Sequence, residues 1–161
     1  MSRADRGPVE VVRSSVVPAT REAVWARVTT PEGIADEFRP LLTMTMPRGL
    51  RGATIADVTP GEPLGRAWIM LGGLVPVEYD DLVVVDLDPP HHFHERSALG
   101  SCRVWEHRRE LVDLGDGTTR VTDTLRARPR ALVPRRLVGA VTGALFSHRH
   151  RRLSRPSAWS S

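Results

Sequence analysis

Valines set among serine and arginine at residues 9–17 predict a strand. Pro18 breaks it, and Thr20 caps a short helix over residues 21–28 with Val24 and Val28 on one face. Thr30-Pro31-Glu32 supplies the cap, first-position proline and first-turn acid of a second helix, which should reach Phe38 and stop before Pro40. From Leu41 the apolar period changes to two. Residues 42–46, 53–58, 66–71, 78–87, 92–98, 103–114 and 118–127 then read as strands in succession. Gly72-Gly73, Asp88-Pro89-Pro90 and Gly115-Asp116-Gly117 punctuate them, so the run is an antiparallel meander. Helical spacing returns after Pro134, where Leu137, Val141, Ala144, Leu145 and His148 recur, and Pro156 predicts a stop near Arg155. This is the one long helix expected, roughly 20 residues or ~30 Å. Its apolar stripe has only the sheet to cover.

Strand parity then sorts pocket from solvent. Trp105, His107, Arg109 and Leu111 share one face of residues 103–114, and the two large apolar members make that face inward. Val121, Asp123, Leu125 and Ala127 form the inward set of the next strand. A three-residue loop at Gly115–Gly117 pairs Leu114 with Thr118, which sets Arg109 opposite Asp123 and His107 opposite Leu125. That inward ion pair either specifies the fold at the pocket edge or gives a polar end to an apolar pocket. Phe93 turns Glu95 and Ser97 inward, so Glu95 near His107 is the best acid/base pair, or else a satisfied hydrogen-bonding pair without turnover. Tyr79, Asp81, Val83, Val85 and Leu87 on one strand, with Trp68 and Met70 on another, are expected as pocket wall. Gly139 and Gly143 either let the last helix sit close to the sheet or leave volume beneath it.

Composition narrows the function classes. The 161 residues fit a domain over residues 9–155 with one core, a flexible leader at 1–8 and a flexible tail at 156–161. Cys102 is the lone cysteine, and lysine, asparagine and glutamine are absent, which removes disulfides and Schiff-base lysine chemistry. The net charge of +4 is uneven. Residues 1–123 hold 14 arginines against 19 acids, and residues 124–161 hold nine arginines and no acid. This basic end either compensates the rest of the domain or meets an anionic partner. His91, His92 and His94, like His148 and His150, diverge at their spacing, so no metal site is expected. Gly-x-Gly-x-x-Gly, P-loop and Gly-x-Ser-x-Gly patterns are missing, and no cofactor is implied. No aromatic interleaves with the basic end, so nucleic acid is not expected as a partner. The absence of a signal peptide or an apolar run of ~18 residues makes a cytoplasmic location, without a membrane span, the expectation.

Three stretches resemble one superfamily: Val24-Trp25 followed by Thr30-Pro31-Glu32-Gly33; Pro89-Pro90, Phe93-His94-Glu95 and Gly100 running into Trp105-Glu106-His107; and Gly117 through Asp123 running into Leu125 and Pro129. With the closing segment 146–153, they are similar to the SRPBCC superfamily of START lipid-binding domains, birch-pollen-type allergens and polyketide cyclases. The resemblance implies an α+β helix-grip fold: a curved six- or seven-stranded antiparallel sheet around a long C-terminal helix, with two short helices after the first strand. It constrains function only weakly. The foremost expectation is a binder of a hydrophobic small molecule, lipid-like or aromatic, between sheet and helix. Trp68, Tyr79, Asp81, Phe93, Trp105, Arg109, Leu111, Asp123, Leu137 and Val141 are the expected contacts. The first alternative is a cyclase/aromatase or dehydratase-type enzyme using Glu95 and His107, with Arg109 or Tyr79 orienting a carbonyl. The second is an interaction module that binds an anionic partner through the basic C-terminal end. The oligomeric state is left open.

Overall fold

The computed structural model describes residues 7–160. Its elements follow the sequence periodicity: β1 (Val9–Val17), α1 (Arg21–Val28), α2 (Pro31–Phe38), β2 (Leu42–Met44), β3 (Pro63–Leu71), β4 (Val75–Asp88), β5 (His92–Leu99), β6 (Cys102–Asp113), β7 (Thr119–Pro129) and α3 (Arg135–Leu153). The seven strands form one antiparallel sheet in the order β1-β7-β6-β5-β4-β3-β2. The fold is α+β and of the helix-grip type. Of the expected leader, residues 1–6 lie outside the described residues.

Both short helices start as their caps predict. The Thr20 hydroxyl accepts the Ala23 amide at 3.3 Å, and the Thr30 hydroxyl accepts the Gly33 amide at 3.1 Å. Gly33 has no alternative, because a Cβ there would stand 1.8 Å from the Arg27 carbonyl oxygen. The β6–β7 register is the one the Gly115–Gly117 loop dictates: Arg109 pairs with Asp123 and His107 with Leu125, and the Leu114 amide donates to Thr118 O at 3.1 Å.

Two local expectations fail. Residues 53–58 hold no strand; Ile55–Asp57 is a 3-10 turn whose Asp57 carboxylate accepts the Thr54 amide at 3.0 Å and the Thr54 hydroxyl at 2.9 Å. Local side-chain bonding outcompetes the ladder there. Residues 156–160, expected as a flexible tail, instead pack. Pro156–Ala158 is a 3-10 turn, the Trp159 indole donates to Leu153 O at 2.7 Å, and Arg27 covers the indole ring at 5.1 Å.

The long helix runs where it should but is rotated from the expected stripe. Val138, Thr142, Phe146, Arg149 and Leu153 face inward, whereas Leu137, Val141 and Ala144 are exposed and Leu145 is half-buried. Its small residues lie on β1: a Cβ on Gly143 would come within 2.8 Å of Arg13 Nη2, and one on Gly139 within 3.4 Å of Val9 Cγ1. The glycines therefore let the helix sit close to the sheet. No described helix is long and apolar enough to cross a membrane.

Candidate functional site

Between the concave sheet, α2 and α3 lies a cavity of about 450 Å³. Its walls are mainly apolar, with Phe38, Phe93, Leu99, Trp105, Val138 and Phe146 prominent. Phe146 of α3 stands edge-on to the His107 ring at 5.0 Å, and Phe93 of β5 does the same at 5.5 Å. The imidazole is thus framed by aromatic edges in the cavity wall. Leu137 and Val141 also line the space, at its open side.

Beneath this wall lies a buried ion network. Arg109 Nε donates to Asp123 Oδ1 at 2.8 Å and its Nη2 to Asp123 Oδ2 at 2.7 Å. Arg109 Nη1 and Nη2 also donate to the two oxygens of Glu37 on α2, at 2.7 and 3.0 Å. Arg149 Nε of α3 reaches Glu37 Oε2 at 2.8 Å, and the guanidinium lies 4.7 Å from the Phe38 and Phe146 ring centres alike. His107 Nε2 and His150 Nε2 bond the two oxygens of Asp123 at 2.8 and 2.9 Å. Sheet and both helix layers are thereby tied through one bidentate arginine.

The network shifts the titration of its members. Burial opposes ionisation of Asp123, but the Arg109 and His107 charges beside it hold its carboxyl well below the usual carboxylate range. Burial likewise opposes, and Arg109 and Arg149 outweigh it, for Glu37. Burial pulls the His107 imidazole down; Asp123, with help from Glu95, more than offsets that and raises it. His107 Nδ1 lies 3.8 Å from Glu95 Oε2, while the Ser97 hydroxyl donates to Glu95 Oε1 at 2.9 Å. Asp80, at the same end of the cavity, behaves oppositely. Burial and then the Glu95 charge push its carboxyl well above its ordinary value. Asp80 makes no salt bridge among the described residues, and its Oδ1 has no hydrogen-bond partner there. The cavity therefore gathers His107, Glu95 and Asp80 at one polar end, with apolar walls around them.

The expected site residues separate into three groups. Glu95, His107, Phe93 and Trp105 line the cavity, as do Leu137 and Val141 at its open side. Arg109, Asp123 and Leu111 are buried behind it; Arg109 cannot orient a ligand carbonyl, since its guanidinium is fully engaged by Glu37 and Asp123. Trp68, Tyr79 and Asp81 are on the opposite face of the sheet. There Arg66 bonds Asp81 bidentately at 2.7 and 2.9 Å, sits 3.9 Å over the Tyr79 ring, and Trp68 meets Tyr79 edge-on at 5.7 Å. Trp68 shares the face of Tyr79 and Asp81 because it pairs with Tyr79, and for those two the cause is a β-bulge between Val84 and Asp86. Leu87 pairs with Phe93 on one side of it and Val84 with Glu95 on the other, so inward parity passes from the even residues Asp80, Leu82 and Val84 to Leu87. The run Val83-Val84-Val85 conceals the slip.

Glu37, Asp80, Arg149 and His150 are the site residues that sequence reasoning missed. Glu37 carried a signal, because it shares a helical face with Ile34 and Phe38 at i+3 and i+4. Arg149 likewise lies three residues after Phe146 and four before Leu153.

The family described as Domain of unknown function (DUF8410) matches residues 15–156. The chain belongs to this family. No curated protein matches this DUF8410 chain in sequence. Among solved structures it is similar to a protein from Chromobacterium violaceum, with TM-score 0.73 and 12% identity over 95% of this chain and 100% of that one. It is similar to a START superfamily protein from Mycobacterium smegmatis, with TM-score 0.65 and 14% identity over 92% and 95% of the two chains. The Zhui aromatase/cyclase from Streptomyces sp. R1128 gives TM-score 0.66 and 16% identity over 89% and 90%. At these identities the likeness is one of fold, and the fold is START-like, as expected of a helix-grip protein.

Proposed function

We propose that this DUF8410 protein binds a largely apolar small molecule in the cavity between its sheet and α3. The observation that carries the reading is the cavity itself: about 450 Å³, walled by aromatic and aliphatic side chains, with a few polar groups gathered at one end. A core built only for stability would fill such a space, since unfilled apolar volume destabilises by loss of contacts. The basic C-terminal end gives less support to an anionic partner, because Arg149 is engaged by Glu37 and Arg152 by Asp36 at 2.8 Å.

The test is titration with the neutral fluorophore N-phenyl-1-naphthylamine, whose emission rises in apolar surroundings. Saturable one-to-one binding is expected, and Thr142→Trp, which places an indole in the cavity from α3, should abolish it while the protein still melts cooperatively. Binding that survives the blocked cavity would locate the probe elsewhere and remove the reading.

One observation favours a second, catalytic reading of the same cavity. The Asp123 carboxylate holds His107 through Nε2 and leaves Nδ1 on the Glu95 side, an arrangement that suits proton transfer of the cyclase or dehydratase kind. Glu95 and His107 would be the catalytic residues, and an activity lost equally in Glu95→Gln and His107→Phe would distinguish turnover from carriage.

A further inference from the structure

Asp80 is a buried acid that no salt bridge among the described residues engages. It is 8% exposed and lines the cavity. Each neighbouring cation is committed elsewhere: Arg109 to Glu37 and Asp123, Arg149 to Glu37, and His107 to Asp123 and Glu95. Oδ1 of Asp80 has no partner among the described residues. A buried acid oxygen left unmatched is costly, and such an atom at a ligand cavity calls for a donor from outside the chain. The Glu95 carboxylate, on the same cavity wall, acts on the Asp80 carboxyl.

Resting on the apolar-ligand reading, we propose that the ligand carries a protonated amine, whose N–H groups are taken by Asp80 and Glu95 while its hydrocarbon part fills the aromatic-walled cavity. An ammonium has three donors and no acceptor, which suits an end made of two carboxyl groups. An alcohol offers one donor. A carboxylate head would bring a further negative charge against Asp80 and Glu95, with Glu78 also on the cavity wall. The Arg149 guanidinium, on the same wall, is already ion-paired with Glu37 through Nε and lies between two rings, and decanoic acid tests whether its Nη groups attract such a head. Binding is a non-covalent ion pair: an ammonium beside Asp80 favours its carboxylate form, against the burial and Glu95 charge that raise its carboxyl, and a proton displaced from it passes to solvent. The groups facing Asp80 are Glu95 and Ser97 from β5, with Glu78, His107 and Arg149 elsewhere on the cavity wall; Asp81, next in sequence, points to the opposite face and acts only through its charge.

The experiment uses the full chain and three probes of matched length: decylamine, 1-decanol and decanoic acid. Calorimetry is run in phosphate and in Tris, whose different ionisation heats count the protons exchanged. Decylamine should bind about tenfold or more tighter than 1-decanol, the margin of a charge-assisted hydrogen bond. Amine binding should release protons where alcohol binding releases none, and the affinity for amine alone should rise with pH. Asp80→Asn should erase the preference for amine over alcohol together with the proton release. Equal affinity for amine and alcohol, or tighter decanoate, would overturn the amine head and leave the apolar-ligand reading standing. If none of the three binds, that reading falls and takes the amine with it. Should Asp80→Asn fail to fold, the wild-type affinities decide alone: no preference for decylamine over 1-decanol overturns the proposal.

Discussion

At the β6–β7 end of the sheet, Arg109 and Asp123 are fully buried and every polar atom of the pair is matched, by Glu37, His107 and His150. At the β3–β4 end, Leu71, Val75 and Val77 are each more than half exposed, and the one deeply buried acid, Asp80, keeps an unmatched oxygen. α3 spans both conditions: its C-terminal half inserts Phe146, Arg149 and Leu153, while its N-terminal half leaves Leu137 and Val141 at the open side of the cavity. One end of the molecule has completed its contacts and the other has not. Completed charge networks hold folds together, and incomplete surfaces in a concave site are where ligands find energy.

The comparison breaks most decisively at Arg109. Arg109→Met leaves Glu37 and Asp123 buried with fewer cations, and should cost about 3–5 kcal/mol, a fall in Tm of roughly 10–15 °C for a chain of this size. The acid limb should move too. Glu37 and Asp123 have depressed values in the folded state, so their stabilisation is complete above the ordinary carboxylate values of 4.5 and 3.8 and is lost as pH falls below them. Without Arg109 that depression relaxes, and acid unfolding should begin nearer neutrality. A variant melting within about 3 °C of wild type would show that the network contributes little to stability.

Asp80 should respond with the opposite sign. Its folded value is raised above the ordinary 3.8, so the folded state holds a proton that the unfolded chain releases, and the penalty on folding grows as pH climbs above 3.8. Asp80→Asn removes that penalty. Its Tm should exceed wild type by about 2–4 °C at pH near 7.5, and the gain should fade as pH falls towards 3.8. A lower Tm at neutral pH would mean that Asp80 is ionised and paired, and would merge the two ends into one kind of construction.

What could be read from sequence divides along the same line. The β6–β7 end was legible because a short glycine loop fixes register and strict alternation then places Arg109, Asp123 and His107. The β3–β4 end was not, since the bulge beyond Val84 reverses parity inside three consecutive valines, and Tyr79 and Trp68 look like core while packing on Arg66 outside. In α3 the inward face contains Thr142, Gly143, Arg149 and His150, so a search for apolar residues finds the neighbouring face instead. Buried charges are chosen by their partners across the fold, and Glu37 and Arg149 are 112 positions apart in sequence.

The smallest stability effect belongs to the residues once expected at the centre of the stripe. Leu137 and Val141 are 54% and 57% exposed, so replacing either with serine gives up little area that folding removed from water. Leu137→Ser and Val141→Ser should each change stability by no more than about 0.5 kcal/mol, as at an ordinary surface position. They nevertheless border the cavity, so a bound apolar probe covers them. Covering a leucine or valine side chain is worth about 1 kcal/mol or more, hence the affinity for N-phenyl-1-naphthylamine should drop severalfold in each variant. Chemical denaturation and probe titration on the same samples separate the two quantities. Binding loss without stability loss would mark the N-terminal half of α3 as ligand surface. A matching fall in both would mean that these side chains close over the cavity in solution, and the sequence-based placement of the stripe would be restored.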